Sequence, residues 1–352
     1  MRLIRYYNFA RNCFKLLRIV IDGAMYFVRT GTTPDAAYQA LVGLFCLTRG
    51  RSNDALHWLI ALKHPPSKLL PPHGVLGDLT GHRIEKVKAT LQEQGYFIFP
   101  DLLSPALSNE LIAFARNTPS IPCWSDKTLP PLALYNPSNP IAPKYEFDEP
   151  TLLAHLQIQE LVADPTLLAL AQAYLHCTPI LDIVTMWWST PYLKSPSSGA
   201  GQLFHFDMDR IKWLKFFFYL TDVTEETGPT CFVRGTHRRL QQPAKLLRHG
   251  YARLSDEEIY SHYKKEDIIE LTCPRGTIVA MDTRGFHKGK PLELGERLVL
   301  QFEYCDSLFG AEYQRPEVHL PKGSPFLQTT EQYGRIFSKY YWIPTPRVAA
   351  NR

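Results

Sequence analysis

The residues best suited to chemistry lie in one short stretch near the middle of the chain. His205 and Asp207 are separated by a single residue, so on an extended strand both side chains leave from the same face. An imidazole and a carboxylate placed in this way can bind one metal ion. A third ligand must come from elsewhere, and the best candidate is His287, just after the apolar run at 277–281. Two histidines and one carboxylate leave the opposite side of the metal open, which suits a non-haem ferrous ion.

Strands are needed to hold these side chains. Residues 298–304 alternate as a half-buried strand does. Apolar runs at 96–100, 183–189 and 277–281 predict further strands. Many strands with tight turns, framed by helices, favour an α+β protein with a mainly β core, either a closed barrel or a jelly roll.

The first part of the chain has a different pattern. Helix start signals at 33–35 and 52–54 predict two helices, and the proline-rich stretch at 64–74 predicts a linker or a strapped-down loop. We therefore expect a helical N-terminal extension at 1–80 and a β-core domain at 81–352.

Helices also frame the predicted core, at 82–94, 104–116 and 165–175. Residues 119–150 are rich in proline and predict a long irregular loop. Such a loop either covers an active site or packs on the surface, and its length does not distinguish the two.

The first thirty residues predict an amphipathic helix. Arg11, Lys15 and Arg18 share one face of it, opposite apolar side chains. Such a helix could contact a membrane surface peripherally. We favour the alternative, in which residues 1–30 pack on their own domain and leave their charges in water.

Composition excludes several classes of protein. Hydrophobic residues make up 45% and charged residues 21% of the 352 residues, which is typical of a folded globular chain. The net charge of +5 is mild, and no basic block predicts nucleic-acid binding.

The chain has seven isolated cysteines, an odd number without a Cys-x-x-Cys pair. They predict neither a disulfide framework nor a thiolate zinc site. A reducing, cytoplasmic location is therefore expected, and no stretch has the roughly 20 apolar residues needed to span a bilayer.

The ordered set of motifs between 202 and 304 resembles the phytanoyl-CoA dioxygenase family of 2-oxoglutarate-dependent oxygenases. In that family a strand leads into Leu-Thr-Asp, a Gly-Pro or Asn-Gly turn follows, and Gly-Ser-His or Gly-Thr-His closes the segment. The same elements occur here at 220–222, 228–229 and 235–237. The resemblance runs from about Leu91 to Tyr304 and implies a double-stranded β-helix, the cupin-like jelly-roll fold.

The resemblance also implies a cofactor and two co-substrates. His205, Asp207 and His287 would bind Fe(II), and 2-oxoglutarate and dioxygen would use the open side of the metal. Arg297 is the expected anchor of the distal carboxylate of 2-oxoglutarate, because a guanidinium offers two parallel donors that match a carboxylate. Relatives place a small hydroxyl residue two positions after the distal histidine, where this chain has Gly289. The second contact to that carboxylate is therefore expected from another residue.

Further site positions follow by counting along the family pattern. Met186 and Phe217 fall beside the co-substrate, although core lining also explains both. His237 is expected to form a structural turn rather than bind metal. Asp209 is expected to be a solvated carboxylate at a strand end. Because Asp207 is present, the chain differs from related iron halogenases, which have Ala or Gly there, and hydroxylation is favoured.

Two other functions agree with parts of the pattern. A catalytically silent β-core module could bind a ligand or partner through the N-terminal helices, but such a relative would be expected to lose a ligand or Arg297. A zinc hydrolase could use the same three ligands. The substrate stays open: the basic residues at 238–253 would suit a phosphorylated or carrier-linked substrate, and a solvated face explains them equally well. Small molecules and lipids also agree with the family's range.

Overall fold

A computed structural model describes residues 2–124, 130–193, 196, 199, 201–248 and 250–345, with side chains from residue 9 onward. The helices are α1 (Arg2–Thr30), α2 (Asp35–Thr48), α3 (Arg51–Lys63), α4 (His82–Gln94), α5 (Pro105–Asn117), α6 (Glu149–Leu153), α7 (Leu156–Val162), α8 (Pro165–Leu175), α9 (Ala244–Leu247), α10 (Asp256–Tyr260) and α11 (Pro325–Gln332). A short 3₁₀ helix covers Lys265–Asp267.

The strands are short before residue 180 and longer after it. They are β1 (His73–Gly74), β2 (Gly77–Asp78), β3 (Tyr96–Ile98), β4 (Ile121–Cys123), β5 (Lys144–Glu146), β6 (Ile180–Ser189), β7 (Trp213–Tyr219), β8 (Thr230–Val233), β9 (Ile268–Leu271), β10 (Ile278–Met281), β11 (His287–Gly289), β12 (Arg297–Cys305), β13 (Glu317–Pro321) and β14 (Tyr341–Thr345).

Local chemistry explains where the predicted helices begin and end. Ser104 caps α5 by accepting a hydrogen bond from the backbone N–H of Leu107, and Pro105 follows at the first helical position. Gly95 ends α4 with a φ of 90°, which a side chain would resist. The helices predicted at 82–94, 104–116 and 165–175 are confirmed.

Two antiparallel sheets form the core. The major sheet has the order β3-β10-β7-β12-β6-β5-β4, and the minor sheet has the order β11-β8-β9. Isolated bridges extend the minor sheet: His205 pairs with His287, and Phe204 pairs with Leu254. Strands that are distant in sequence thus alternate between two facing sheets, which confirms the predicted double-stranded β-helix.

The two faces of the major sheet contribute to different cores. One face packs against α4, α5, α7 and α8 and carries Met186, Phe216 and Leu300. The opposite face looks toward the minor sheet, where Phe217 and Val299 pack near Phe232 of β8. Because side chains alternate along a strand, neighbours in sequence belong to different cores.

The N-terminal helices cover the outer face of the minor sheet. Phe204, Phe206 and Met208 pack with buried side chains of α1 and α2. The Phe206 ring stacks on Phe45 of α2 with centroids 5.3 Å apart. His205 and Asp207 alternate with these residues and therefore face inward. The helical extension thus forms the support of the segment that carries the predicted ligands.

We expect Phe45→Leu to destabilise the fold by about 1 kcal/mol, because it removes an aromatic pair while keeping an apolar side chain. The metal affinity should fall with it, since the ligand segment rests on this ring. Urea unfolding and metal titration would measure both effects. Phe14→Leu, on an exposed side chain of α1, is the matched control and should leave both quantities unchanged.

Residues 119–150 are not simply a loop. β4 and β5 form a hairpin there, and β5 pairs with β6 at the edge of the major sheet. The prediction of a wholly irregular segment was wrong at these strands, because such short strands depend on a partner strand rather than on a pattern of their own. Residues 125–129 lie outside the described part of the chain. Among the helices described, none is both long and apolar enough to cross a membrane.

Candidate metal centre and co-substrate site

Backbone pairing brings the two predicted histidines together. The N–H of His205 donates to the carbonyl of His287 at 2.9 Å, and the N–H of His287 donates back at 2.8 Å. Residues that exchange both bonds lie directly opposite each other and share a face. Their rings accordingly approach to 4.3 Å between centroids. The Asp207 N–H donates to the carbonyl of Thr283 at 2.8 Å, which secures the third predicted ligand beside them.

The donor atoms of these three residues converge on one point. His205 Nε2 lies 3.6 Å from Asp207 Oδ1, and His287 Nε2 lies 3.6 Å from Asp207 Oδ2. One ligand atom from each residue falls within a mutual distance of 4.8 Å. A single ion could bind all three.

Backbone carbonyls set the tautomer of both imidazoles. Nδ1 of His205 donates to the carbonyl of Leu203 at 2.8 Å, and Nδ1 of His287 donates to the carbonyl of Gly285 at 3.0 Å. The proton therefore sits on Nδ1, and the Nε2 lone pair of each ring points into the shared space. Hydrogen bonds of this kind orient histidine ligands in metalloproteins.

The protonation states also suit metal binding. Burial, followed by the neighbouring His287, lowers the pKa of His205 to about 3. Burial likewise lowers the pKa of His287, against the opposing effect of Asp207. Burial alone would raise the pKa of Asp207, but the Lys215 ammonium and then the imidazoles hold it well below its ordinary value. At neutral pH the site presents two neutral imidazoles and one carboxylate, the forms that metals bind.

Lys215 forms an ion pair with the carboxylate of Asp207. Its Nζ donates to Asp207 at 2.8 Å and to Asp209 at 3.1 Å, and it lies 3.2 Å from Glu303 Oε2. The lysine side chain is 7% exposed and that of Glu303 is fully buried. Burial raises the pKa of Glu303 well above its usual range. Asp209, expected to be solvated, is instead part of this ion cluster, because the lysine of β7 reaches across to it.

Arg297 is buried without a carboxylate partner among the described residues. Its Nη2 donates to Ser189 Oγ at 3.3 Å, whereas Nε and Nη1 are buried and make no hydrogen bond there. Burial lowers the pKa of Arg297, since only weak acids such as Tyr219 oppose the effect. A buried cation in this state calls for an anion from outside the chain.

Gly289 places this arginine relative to the metal ligands. A Cβ added to Gly289 would lie 3.4 Å from Arg297 Nη2. Gly289 follows His287 by two residues on β11, so the guanidinium sits about 7 Å along the strand on the same face. Relatives carry a hydroxyl residue at the position of Gly289. Ser189 could replace it, because its Oγ already accepts a hydrogen bond from the guanidinium of Arg297.

Met186 and Phe217, both predicted to lie beside the co-substrate, lie on opposite faces of the major sheet. Phe217 lies on the inner face of the major sheet, in the core between the sheets. Met186 lies on the opposite face, packed against the helices, so this predicted co-substrate contact was wrong. Its neighbour Trp187 lies on the inner side instead. A count that is off by one residue moves a strand side chain to the other face.

His237 occupies a structural position. Its Nε2 lies 3.2 Å from the carbonyl of Gln92 on α4, and burial lowers its pKa to about 4. Among the described residues it does not belong to the group that could hold a metal. The loop carboxylate Asp222 accepts a hydrogen bond from the N–H of Arg275 at 2.8 Å, and so braces the turn.

Sequence reasoning missed three residues near the centre. Lys215 was visible as a lone charge within the apolar strand 213–219. Tyr38 of α2 and Tyr251 had no local signal, yet burial, followed by the charges of the nearby Asp209 and Asp207, raises the pKa of both. Only the packing of α2 and of residues 238–270 around the ligand segment brings them there.

Comparison with known proteins agrees with this geometry. The sequence model of the family described as "Phytanoyl-CoA dioxygenase (PhyH)" matches residues 91–292. Among curated protein sequences, none matches this chain.

Several solved structures are similar in fold. The epimerase SnoN from nogalamycin biosynthesis, described as non-haem and α-ketoglutarate-dependent, is 20% identical, with 63% of this chain and 83% of that chain covered and a TM-score of 0.47. HygX from Streptomyces hygroscopicus, with nickel and 2-oxoglutarate bound, is 16% identical, with 66% and 89% covered and a TM-score of 0.46. The carbocyclase SnoK, also from nogalamycin biosynthesis, is 17% identical, with 66% and 86% covered and a TM-score of 0.44.

The family match spans more than half of the 352 residues and includes all three candidate metal ligands. Arg297 follows five residues after the matched segment. The chain therefore belongs to the phytanoyl-CoA dioxygenase (PhyH) family.

Proposed function

We propose that this protein is an Fe(II)- and 2-oxoglutarate-dependent dioxygenase that hydroxylates an unactivated C–H bond of a small-molecule, lipid or carrier-linked substrate. One observation carries the proposal: a buried, unpaired guanidinium lies one strand repeat from a converging His-Asp-His group. A five-carbon diacid could bind the metal at one end and Arg297 at the other.

The residues present fit this cofactor. His205 and His287 offer neutral nitrogen donors and Asp207 offers an oxygen, a set that ferrous oxygenases use. When bound, the iron together with 2-oxoglutarate and dioxygen would supply the oxidising power, with succinate and carbon dioxide as by-products.

The chain itself provides orientation and exclusion of water. Arg297 and Ser189 would hold the distal carboxylate, Phe217 would shield the co-substrate from the core side, and Lys215 would keep Asp207 ionised and aimed at the metal. Groups held in place by strands and by buried contacts lose little freedom when a ligand binds, which lowers the cost of binding.

Substitution of Arg297 tests the proposal. We expect Arg297→Gln to raise the 2-oxoglutarate KM by about 10- to 100-fold, because charge-assisted hydrogen bonds to the carboxylate are lost. The Tm of the ligand-free protein should not fall, since the variant removes an unpaired buried cation. The stabilisation that 2-oxoglutarate gives the wild type should disappear from thermal unfolding curves.

The exposed Arg83→Gln variant is the control and should behave as the wild type. Succinate formation that depends on Fe(II), 2-oxoglutarate and air establishes the activity. If Arg297→Gln bound 2-oxoglutarate as tightly as the wild type, the assignment of this anchor would be wrong.

A catalytically silent binding module remains the second candidate. The retention of three convergent ligands and of the buried Arg297 argues against it, because a silent relative would be expected to have lost one of them. Absence of succinate under the conditions above would favour the silent module. A zinc hydrolase with the same ligands would show no dependence on 2-oxoglutarate or air.

The cytoplasmic location and the role of α1 stay predictions. All seven cysteines are free thiols, as a reducing compartment would require. On α1 the apolar side chains of Phe14, Ile21 and Val28 are exposed, so sedimentation with anionic vesicles would test the peripheral contact of residues 1–30.

A further inference from the structure

We propose that the substrate carries an anionic group, a carboxylate or a phosphate, which Arg253 binds beside the metal ligand His205. This inference rests on the proposed function, because it takes the metal centre as the place of reaction. Arg253 belongs to the charged segment that follows β8 and has no part in the co-substrate site described above.

Strand pairing places Arg253 beside the metal ligands. Phe204 and Leu254 exchange both backbone hydrogen bonds, at 3.1 and 2.8 Å, and both side chains face the N-terminal helices. The next pair along these segments is His205 with Arg253, whose side chains therefore leave from the inner face. Because His205 also pairs with His287, the three side chains form a row across the minor sheet, about 5 Å apart.

The guanidinium of Arg253 is poised for an anion. Its Nη1 is buried and makes no hydrogen bond within the described part of the chain. The guanidinium carbon lies 5.6 Å from the ring centre of Tyr251, and no described carboxylate lies within ion-pair distance of the guanidinium. Arg253 is half-buried, and its buried Nη1 is a free donor that an anionic ligand could satisfy.

Two unpaired guanidinium groups flank the imidazole pair. The guanidinium of Arg297 lies beside Gly289 of β11. Arg253 lies on the other side of His205 in the minor sheet. One dicarboxylate co-substrate accounts for the first but leaves the second free. Arg253 is therefore left to bind the substrate. Because Arg253 lies one strand from the metal ligand His205, the carbon that reacts at the metal would be within a few bonds of the anionic group.

A cleft opens beside the segment that carries Arg253. It has a volume of about 350 Å³ and lies between α2 and the segment at 250–251, with Tyr38 and Tyr251 on its walls. The edge of Tyr251 rests on Phe206, with centroids 5.5 Å apart, so the wall is anchored to the ligand segment. The volume suits a small molecule or the end of a larger one.

Matched probes test the proposal on the protein loaded with Fe(II) and 2-oxoglutarate in the absence of oxygen. Hexanoate, hexyl phosphate and hexanol share one chain and differ in charge, and calorimetry gives the Kd of each. We expect the wild type to bind at least one of the anions about tenfold or more tightly than hexanol. Arg253→Gln should lose about 10- to 100-fold of that affinity, and Arg253→Lys should lose less.

Arg248→Gln is the control, because Arg248 belongs to the same segment and is exposed. It should bind the anions as the wild type does. The anion that binds more tightly identifies the group as carboxylate or phosphate. The Kd of 2-oxoglutarate should stay unchanged in Arg253→Gln.

Three results would overturn the inference: wild type that binds neither anion better than hexanol, Arg253→Gln with unchanged anion affinity, or Arg253→Gln that weakens 2-oxoglutarate instead. Failure of the proposed function is seen separately, as wild type that neither binds 2-oxoglutarate with Fe(II) nor forms succinate in air.

Discussion

Asp207→Ala should lose metal affinity by at least about 100-fold, because even residues that only orient a metal ligand cost 10- to 100-fold when replaced. Asp207 is the only carboxylate in the described group of convergent ligands. Without it two neutral imidazoles remain, and the charge of a divalent ion is no longer balanced. Metal content after dialysis and calorimetric titration with Fe(II) under anaerobic conditions measure the loss, and succinate formation should fall with it.

The fold should survive this change. Lys215 keeps Asp209 and Glu303 as partners at 3.1 and 3.2 Å, so its ammonium is not left alone. Asp209→Asn is the matched control: it lies two residues further along the same segment and contacts the same lysine, but it does not belong to the convergent group. Metal retained by Asp207→Ala and lost by Asp209→Asn would contradict the assignment of the site.

Lys215→Met should lower the free energy of unfolding by about 3–5 kcal/mol, because removing one partner of a buried ion pair leaves an uncompensated charge. The ammonium is the common partner of Asp207, Asp209 and Glu303. The methionine would fill much of the volume of the lysine stem, so the loss reports charge rather than packing. Urea unfolding of the metal-free protein measures it.

The difference in free energy of unfolding between the wild type and Lys215→Met should shrink as the pH falls toward 4. In the wild type the pKa of Asp207 is held low by the lysine, so its contribution to stability is present above the unfolded pKa and is lost as the pH falls below it. In the variant burial raises the carboxylate pKa values, so stability is lost as the pH rises. The gap between the two proteins is therefore largest near neutral pH.

Lys290→Met provides the comparison for this substitution. Its Nζ lies 3.0 Å from Glu270, with side chains 31% and 40% exposed, and exposed pairs of this kind contribute between 0 and about 1 kcal/mol. Equal losses in Lys215→Met and Lys290→Met would show that the buried cluster has no special role in stability.

The predictions for Asp207→Ala and Lys215→Met concern two parts of the same metal site. The metal ligands must be free to bind an ion, yet Asp207 must stay charged and in place when none is bound. Lys215 meets both needs through its ion pair with Asp207. The N-terminal helices meet the mechanical need by packing on Phe206, between the two ligands in sequence.

Much of the local structure could be predicted from the sequence. Ser104-Pro105 and Gly95 mark helix ends through interactions with residues only three or four positions away. The spacing of His205 and Asp207 sets their common face through the alternation of a strand. Such features depend on neighbours in the chain, so they are written in short stretches of sequence.

Only the tertiary structure decided how distant segments meet. The pairing of His205 with His287, the reach of Lys215 to Glu303 and the approach of Arg253 depend on strand register over gaps of about 50 to 90 residues. Register cannot be read from either strand alone, and a shift of one residue exchanges the two faces, as the position of Met186 shows. The sequence by itself therefore determined which residue types were available for a metal centre, and the packing of the sheets determined which of them share it, because long-range pairing is selected by the whole core and not by local preference.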